Sequence, residues 1–204
     1  MKILNLYAGI GGNRRNWGGQ VTAVELNPSI AAIYANLFPT DNLIIGDAHQ
    51  YLLDHFSEFD FIWASPPCQS HSSFRQNIGV RFRGVKPEYP DMKLYQEILF
   101  LQANARCDWV VENVKPYYKP LINPTFELQR HLFWSNVYVP LKAFEIEKIR
   151  SAQIPDLQIL HDVDLSSFTI SNKRQVLRNC VHRDVGKYIF ESITKTVAIQ
   201  QELF

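Results

Sequence analysis

Up to about residue 115 the chain alternates short apolar runs with stretches in which apolar side chains recur at helical spacing. Residues 2–7 (KILNLY), 20–25 (QVTAVE), 42–45 (NLII), 59–64 (FDFIWA) and 107–113 (CDWVVEN) are too short for helices and read as strands. Asn27 can cap a helix that opens on Pro28, where a missing N–H costs nothing, and Ile30, Ile33, Tyr34 and Leu37 share one of its faces. A second helix is predicted over 48–56. A long loop follows the fourth strand, and a third helix then carries Leu94, Ile98, Leu101 and Ala105 on one stripe. This alternation predicts an α/β fold, a mostly parallel sheet with helices on both faces, whose ligands gather at the carboxyl ends of strands. Beyond residue 116 the pattern weakens. Residues 131–139 (HLFWSNVYV) read as a strand, and 140–172 specify no element. Val185, Ile189, Ile193 and Val197 mark an amphipathic C-terminal helix.

The 204 residues suffice for one ordinary domain with a sizeable core and are too few for two comfortable ones. A hydrophobic fraction of 46% with 20% charged residues excludes a disordered chain. The net charge is +1, so any basic footprint for nucleic acid must be local. Cys68, Cys107 and Cys180 are odd in number and widely spaced, which argues against a disulfide framework and for a reducing cytosol. Cys68 and His71 have the spacing of a metal-binding pair, but no second pair completes a tetrahedral site, so no metal is expected. The first residues reach glycines too soon for a signal peptide, and no apolar run approaches a membrane span. A cytoplasmic protein without a membrane partner is expected.

Candidate chemistry sits at the strand ends. Gly9, Gly11 and Gly12 in YAGIGG permit a tight turn and close approach of a ligand to the backbone, although a bland strand-to-helix turn explains this pattern as well. Glu25 ends the second strand and could accept bonds from both ribose hydroxyls of a nucleoside, or be a solvated strand end. Asp47 follows the third strand and could accept from an adenine amino group, or cap the next helix. Three consecutive strand ends offering glycines, an acid and an acid suit a nucleoside pocket, and the absence of lysine in the turn disfavours a P-loop. Cys68 lies in SPPCQSHS. A lone cysteine is usually a small buried hydrophobe, but here two prolines fix the backbone before it. Glu112 in VVENV emerges from the fifth strand. A thiol and a carboxyl at one sheet edge suggest covalent catalysis assisted by an acid. A hydrolase built on Cys68 and His71 has poor geometry, three residues apart in a stiffened loop.

LYAGIGG, SPPCQSHS, VVENV and RNCV occur in the order expected of DNA cytosine-5 methyltransferases, and the chain resembles that family over residues 1–136 and 174–199. The resemblance implies a Rossmann-like S-adenosylmethionine-dependent methyltransferase fold and methyl transfer from that cofactor to carbon 5 of cytosine in DNA. Cys68 would add to carbon 6, and Glu112 would protonate or hydrogen-bond ring nitrogen 3. Arg130 in QRHLFWSN would brace the target base and its phosphate. His131 stands where the family has a second arginine, or is a satisfied surface histidine. Tyr7, Gly9, Gly11 and Gly12 would shape the methionine end of the cofactor site, and Glu25 would hold the ribose, with Leu26 in the same set. Asp47 and Ala48 would read the adenine, and Pro67 and Leu94 would line the site. Asn179 and Val181 would return beside the glycine turn, bringing the C-terminal helix against the first strand. Gln69, Ser70 and Asn113 join the substrate-binding set. Arg178 replaces the glycine usual in the family.

Residues 73–86 carry Arg75, Arg81, Arg83 and Lys86 with no acid, interleaved with Phe74 and Phe82. Directly after Cys68, such a loop suits phosphate contact and closure over an extruded base, although solvated charged loops are commoner. Lys173, Arg174, Arg178 and Arg183 form a second basic cluster. The expected organisation is a catalytic and cofactor core over 1–136, a reduced target-recognition region over 137–173, and a segment over 174–204 returning to the core. So small a recognition region implies short or relaxed specificity, or recognition by a second subunit. The setting expected is DNA methylation, as in restriction–modification, in a prokaryotic or phage-infected cell. Alternatives are the same chemistry on RNA or free cytosine nucleotide, and a catalytically silent binding module, against which the intact Cys68 and Glu112 argue.

Overall fold

The computed structural model describes residues 1–145 and 151–202, with side chains to residue 194. Seven strands form one sheet in the order β3-β2-β1-β4-β5-β7-β6. β1 (Lys2–Leu6), β2 (Gln20–Glu25), β3 (Asn42–Ile45), β4 (Phe61–Ala64) and β5 (Asp108–Val114) run parallel. β7 (His131–Ser135) is antiparallel to both β5 and β6 (Phe126–Leu128). The helices are α1 (Pro28–Leu37), α2 (Ala48–His55), α3 (Arg81–Arg83), α4 (Lys93–Asn104), α5 (Ile154–His161), α6 (Lys173–Asn179) and α7 (Arg183–Glu202).

The period-2 alternation of the central strands sorts side chains onto two faces. Ile3, Phe61, Trp63 and Val110 point to the side covered by α7, where Trp17, Val185, Ile189 and Phe190 join them. Leu4, Leu6, Ile62, Ala64 and Val111 point to the opposite side, against Leu52 of α2 and Leu94, Ile98 and Leu101 of α4. β4 is buried along its whole length, which is why FIWA is an unbroken apolar run. Asn27 caps α1 through bonds from the Ser29 and Ile30 amides. The α7 helix lies against the glycine-rich start of the chain. The Trp17 indole N–H donates to the Gly186 carbonyl at 3.1 Å, and a Cβ on Gly186 would come within 2.4 Å of the Asn13 carbonyl oxygen. The fourth apolar position of the C-terminal stripe, Val197, falls outside the described side chains.

The structure departs from the periodicity reading after residue 64. The basic stretch is helical, a π-helical segment over Arg75–Val80 running into α3, which Gly84 ends at φ 66°. The strand over 131–139 stops at Ser135 because the Asn136 side chain takes over the pairing. Its oxygen accepts from the Trp109 amide and its nitrogen donates to the Cys107 carbonyl. The α5 helix breaks the silent stretch 140–172. Only Leu157 and His161 of it are buried and Ile159 is largely exposed, so no apolar stripe betrays it. Among the described residues no helix is long and apolar enough to cross a membrane.

Candidate active site

The strand order reverses between β1 and β4, and the chain leaves both at their carboxyl ends into a cleft of about 610 Å³. Tyr7 leaves β1 at φ 56°, a left-handed conformation rarely tolerated by a bulky side chain, and Gly9 follows at φ 55°. Glu25 fixes this turn. Its Oε2 accepts from the Gly9 amide at 2.9 Å and its Oε1 from the Asn27 amide at 2.8 Å. Each carboxylate oxygen keeps a second lone pair for a ligand hydroxyl. Asp47 caps α2, its Oδ1 accepting from the His49 amide at 2.8 Å, while Oδ2 lies 3.4 Å from the Lys93 ammonium. Capping and facing the cleft coexist, since Asp47 and Ala48 both line it. The RNCV segment (178–181), the late motif of the chain, closes the floor. A Cβ on Gly12 would sit 2.7 Å from Cys180 Cβ and 2.9 Å from the Val181 carbonyl oxygen, so only glycine lets these segments touch. Tyr7, Gly9, Gly12, Glu25, Leu26, Asp47, Ala48, Pro67, Asn179 and Val181 line one cavity. Its volume, its apolar Ile10 and Ile30 and its paired acids fit an adenosyl group with a short aliphatic tail.

Cys68, Glu112, Arg130 and His131 line the same cleft. Asn113 is buried, and its side-chain amide donates to the Pro66 carbonyl at 3.0 Å, which ties the cysteine loop to β5 and sets Cys68 and Glu112 at one edge. Burial, and then the Glu112 carboxyl, push the Cys68 thiol up to about 11, while Arg130 pulls it down. Burial pushes the Glu112 carboxyl up to about 7, against the opposing pull of Ser65 and Arg130. The Arg130 guanidinium donates to the carbonyls of Arg178 at 2.6 Å and Cys180 at 3.2 Å, so it also clamps the late motif. His131 is buried, with Nε2 3.6 Å from Glu112 Oε1, and burial and then Arg130 hold it neutral.

A second cleft, of about 960 Å³, opens on the other side of the cysteine loop and shares Cys68, Gln69, Val114, Arg130 and Asn179 with the first. Arg75, Arg83 and Phe74 form one wall and Lys173, Arg174 and Arg178 of α6 the other, with no acidic residue in the lining among the described residues. The Arg178 guanidinium lies 5.4 Å from the Phe74 ring centre, a cation–π contact across the cleft. Arg75 is shared with Glu88 at 2.7 Å.

Some of the expected residues lie off both walls. Gly11, at φ 78°, faces α1, where a Cβ would meet Phe38. Leu94 is in the core beneath α4, and Lys93 lines the cleft in its stead. The Ser70 hydroxyl accepts from the Asp91 amide at 2.9 Å, and Asn113 acts through Pro66. Arg81 is exposed and lines neither cleft, and Arg183 pairs with Asp162 at 3.1 Å. His71 is turned inward, Nδ1 to the Tyr118 hydroxyl at 2.5 Å, away from any base or metal role beside Cys68. Asp91 and Lys93 also line the cleft and are not legible in the sequence, because they belong to no motif and fall beside the apolar stripe that Leu94 begins. Among the described residues no group of three or more His, Cys, Asp or Glu is placed to hold a metal ion.

Residues 1–116 match the family model for C-5 cytosine-specific DNA methylases. The type II methyltransferase M1.HgaI of Avibacterium volantium is 26% identical over 165 residues, covering 78% of this chain and 43% of its own. The tRNA (cytosine(38)-C(5))-methyltransferase of Spodoptera frugiperda is 37% identical over 76 residues, 33% of this chain and 23% of its own. The chain thus spans less than half the length of these curated relatives. Among solved structures, the Entamoeba histolytica methyltransferase EhMeth superposes with a TM-score of 0.54 over 97% of this chain and 98% of that one, at 10% identity, a likeness of fold alone. S-adenosylmethionine is the family's cofactor, and the first cleft suits it. With a family model matched over more than half its length, the chain belongs to the C-5 cytosine-specific DNA methylases.

Proposed function

We propose that this chain methylates carbon 5 of cytosine in DNA, with Cys68 as nucleophile and Glu112 as acid. The observation that carries the reading is that a thiol and a carboxyl raised to about 7 face one cleft whose other end suits a nucleoside. Tyr7, Gly9, Gly12, Glu25, Asp47 and Ala48 would hold S-adenosylmethionine, which supplies an electrophilic methyl carbon when bound. The Cys68 sulfur bonds to carbon 6 of the target ring as its proton passes to solvent, because a thiol near 11 gives up its proton only on attack. Glu112 gives its proton to nitrogen 3, so the ring's electrons are held at carbon 5 as an enamine. After carbon 5 is methylated, its proton passes to solvent, the ring double bond re-forms, the sulfur leaves as a thiolate that takes up a solvent proton, and nitrogen 3 returns its proton to Glu112.

The acid-free basic cleft adjoining Cys68 supports a polynucleotide substrate, its phosphates on Arg83, Lys173 and Arg174. Carbon 5 is out of reach inside a duplex, so the base is extruded or the strand is single. The stretch 137–173 contributes one eight-residue helix among its described residues, which favours short or relaxed specificity, or reading by a second subunit. The type II relative supports a restriction–modification setting in a bacterial cytoplasm. The match to a tRNA methyltransferase favours RNA as the second reading. Labelled methyl transfer to duplex DNA, single-stranded DNA, tRNA and dCMP decides between them. Label in DNA is expected. Label in tRNA alone moves the substrate to RNA, and label in dCMP alone removes the polymer from the basic cleft.

A further inference from the structure

α4 carries a fully buried acid that the chemistry above does not use. Glu97 has no exposed surface, and its Oε1 receives two partners. The Tyr7 hydroxyl donates to it, and His49 Nδ1 lies 3.0 Å from it. Among the described residues Oε2 has no hydrogen-bond partner, although it is buried. A carboxyl set among Leu94, Ile98 and Leu101 with one bare oxygen is costly, and an apolar residue of similar size would serve the core at least as well. Packing alone therefore does not account for it.

Its two partners come from two of the segments that build the first cleft, which Tyr7, Asp47 and Ala48 line. Tyr7 is the residue at φ 56° that bends the chain out of β1 into the glycine turn. His49 is the second residue of α2, directly after Asp47 and Ala48. One turn earlier on α4, Lys93 lies 3.4 Å from Asp47 Oδ2. The first turns of α4 thus reach both the turn after β1 and the start of α2. The phenol remains a donor, because burial and then Glu97 raise it far above any working pH. A left-handed tyrosine is strained and some contact must offset that strain, and among the described residues the side-chain hydrogen bond to Glu97 holds it there.

The geometry points to Glu97 as a positioning residue for the cofactor: a single buried carboxyl that locks Tyr7 in its strained conformation and ties the glycine turn to the α2 end of the cleft. It touches neither cofactor nor substrate and acts through Tyr7 and His49. The inference rests on the first cleft being the S-adenosylmethionine site.

The test is calorimetric binding of S-adenosylhomocysteine to the full chain and to Tyr7→Phe, Glu97→Leu and the double variant. Hydrogen bonds to charged groups set the scale, so each single variant should weaken binding about tenfold or more. The double variant should be no weaker than Glu97→Leu, because both remove one interaction. Binding of a cytosine oligonucleotide should stay within about twofold in all three, which a general loosening of the fold would not allow. Unchanged cofactor affinity in Tyr7→Phe, or losses that add in the double variant, would overturn the role assigned to Glu97. Tyr7→Phe keeps the core ring and decides the matter even where Glu97→Leu fails to fold. Failure of the unaltered chain to bind S-adenosylhomocysteine would instead remove the cofactor reading itself.

Discussion

Replacing Glu112 by glutamine should make the protein more stable in alkali and nearly inactive. Glu112 has 5% of its surface exposed, and burial raises its carboxyl from the ordinary 4.5 to about 7. The unfolded chain releases this proton near the ordinary value, whereas the folded chain holds it to about pH 7. Between those values the folded state binds more protons, so stability falls as pH rises. The fall is complete once pH exceeds the folded value, and the whole of it corresponds to roughly 3 kcal/mol. Glutamine does not titrate. The stability of Glu112→Gln relative to the unaltered chain should therefore grow by roughly 2–3 kcal/mol between about pH 5 and about pH 8.5. Constant differences in amide contacts cancel in this comparison, and so does the rise in stability with pH that His131, held neutral only in the folded state, gives to both proteins. Urea unfolding of both proteins at the two pH values measures it. Loss of the acid should lower methyl transfer by about 10²–10⁴-fold. A stability difference that stays flat within about 0.5 kcal/mol would mean that Glu112 ionises like an ordinary carboxyl, which would refute its assignment as the acid.

Cys68→Ala should abolish methyl transfer while leaving S-adenosylhomocysteine affinity near normal, since the sulfur sits at the junction of the two clefts and the change leaves Glu25 and Asp47 in place; lost cofactor binding by calorimetry would displace Cys68 from its assigned place. Arg83→Ala should lower the slope of log affinity for DNA against log salt by about one, and Arg81→Ala should change it less, because only Arg83 lines the basic cleft; equal slopes for the two variants would count against that cleft. Gly12→Ala should cost about 1–3 kcal/mol in thermal unfolding, because the new methyl would lie 2.7 Å from Cys180 Cβ; an unshifted midpoint would show that the late motif does not pack there.

The core strands and α1 were legible because their burial is two-sided or one-faced and their ends carry strong punctuation. Asn27–Pro28 starts α1, and FIWA lies wholly inside the sheet. The stripes of α4 and α7 were legible too, whereas the short helices α3, α5 and α6 were not. α6 has seven residues, three of them basic, and buries only Leu177, so no period can develop. The π-helical segment after Cys68 is polar and glycine-containing, and its backbone is held by a Val85 amide bond to the Gly79 carbonyl that composition does not reveal. Within the site, residues at strand ends could be read because chemistry and position coincide. Glu97 and Lys93 could not, because an acid within an apolar helical stripe gives no sign of reaching Tyr7. Nor could the double use of Arg130, whose clamp on Arg178 and Cys180 joins residues about fifty apart in the chain.

Covalent capture tests the central claim most directly. A DNA oligonucleotide carrying 5-fluorocytosine offers a ring whose carbon 5 substituent cannot leave as a proton, so the sulfur stays bonded. With S-adenosylmethionine present, intact mass spectrometry should find one species with the mass of protein, oligonucleotide and one methyl group, and peptide mapping should locate the bond at Cys68. No such species from the unaltered chain, or a bond at Cys107 or Cys180, would contradict the account.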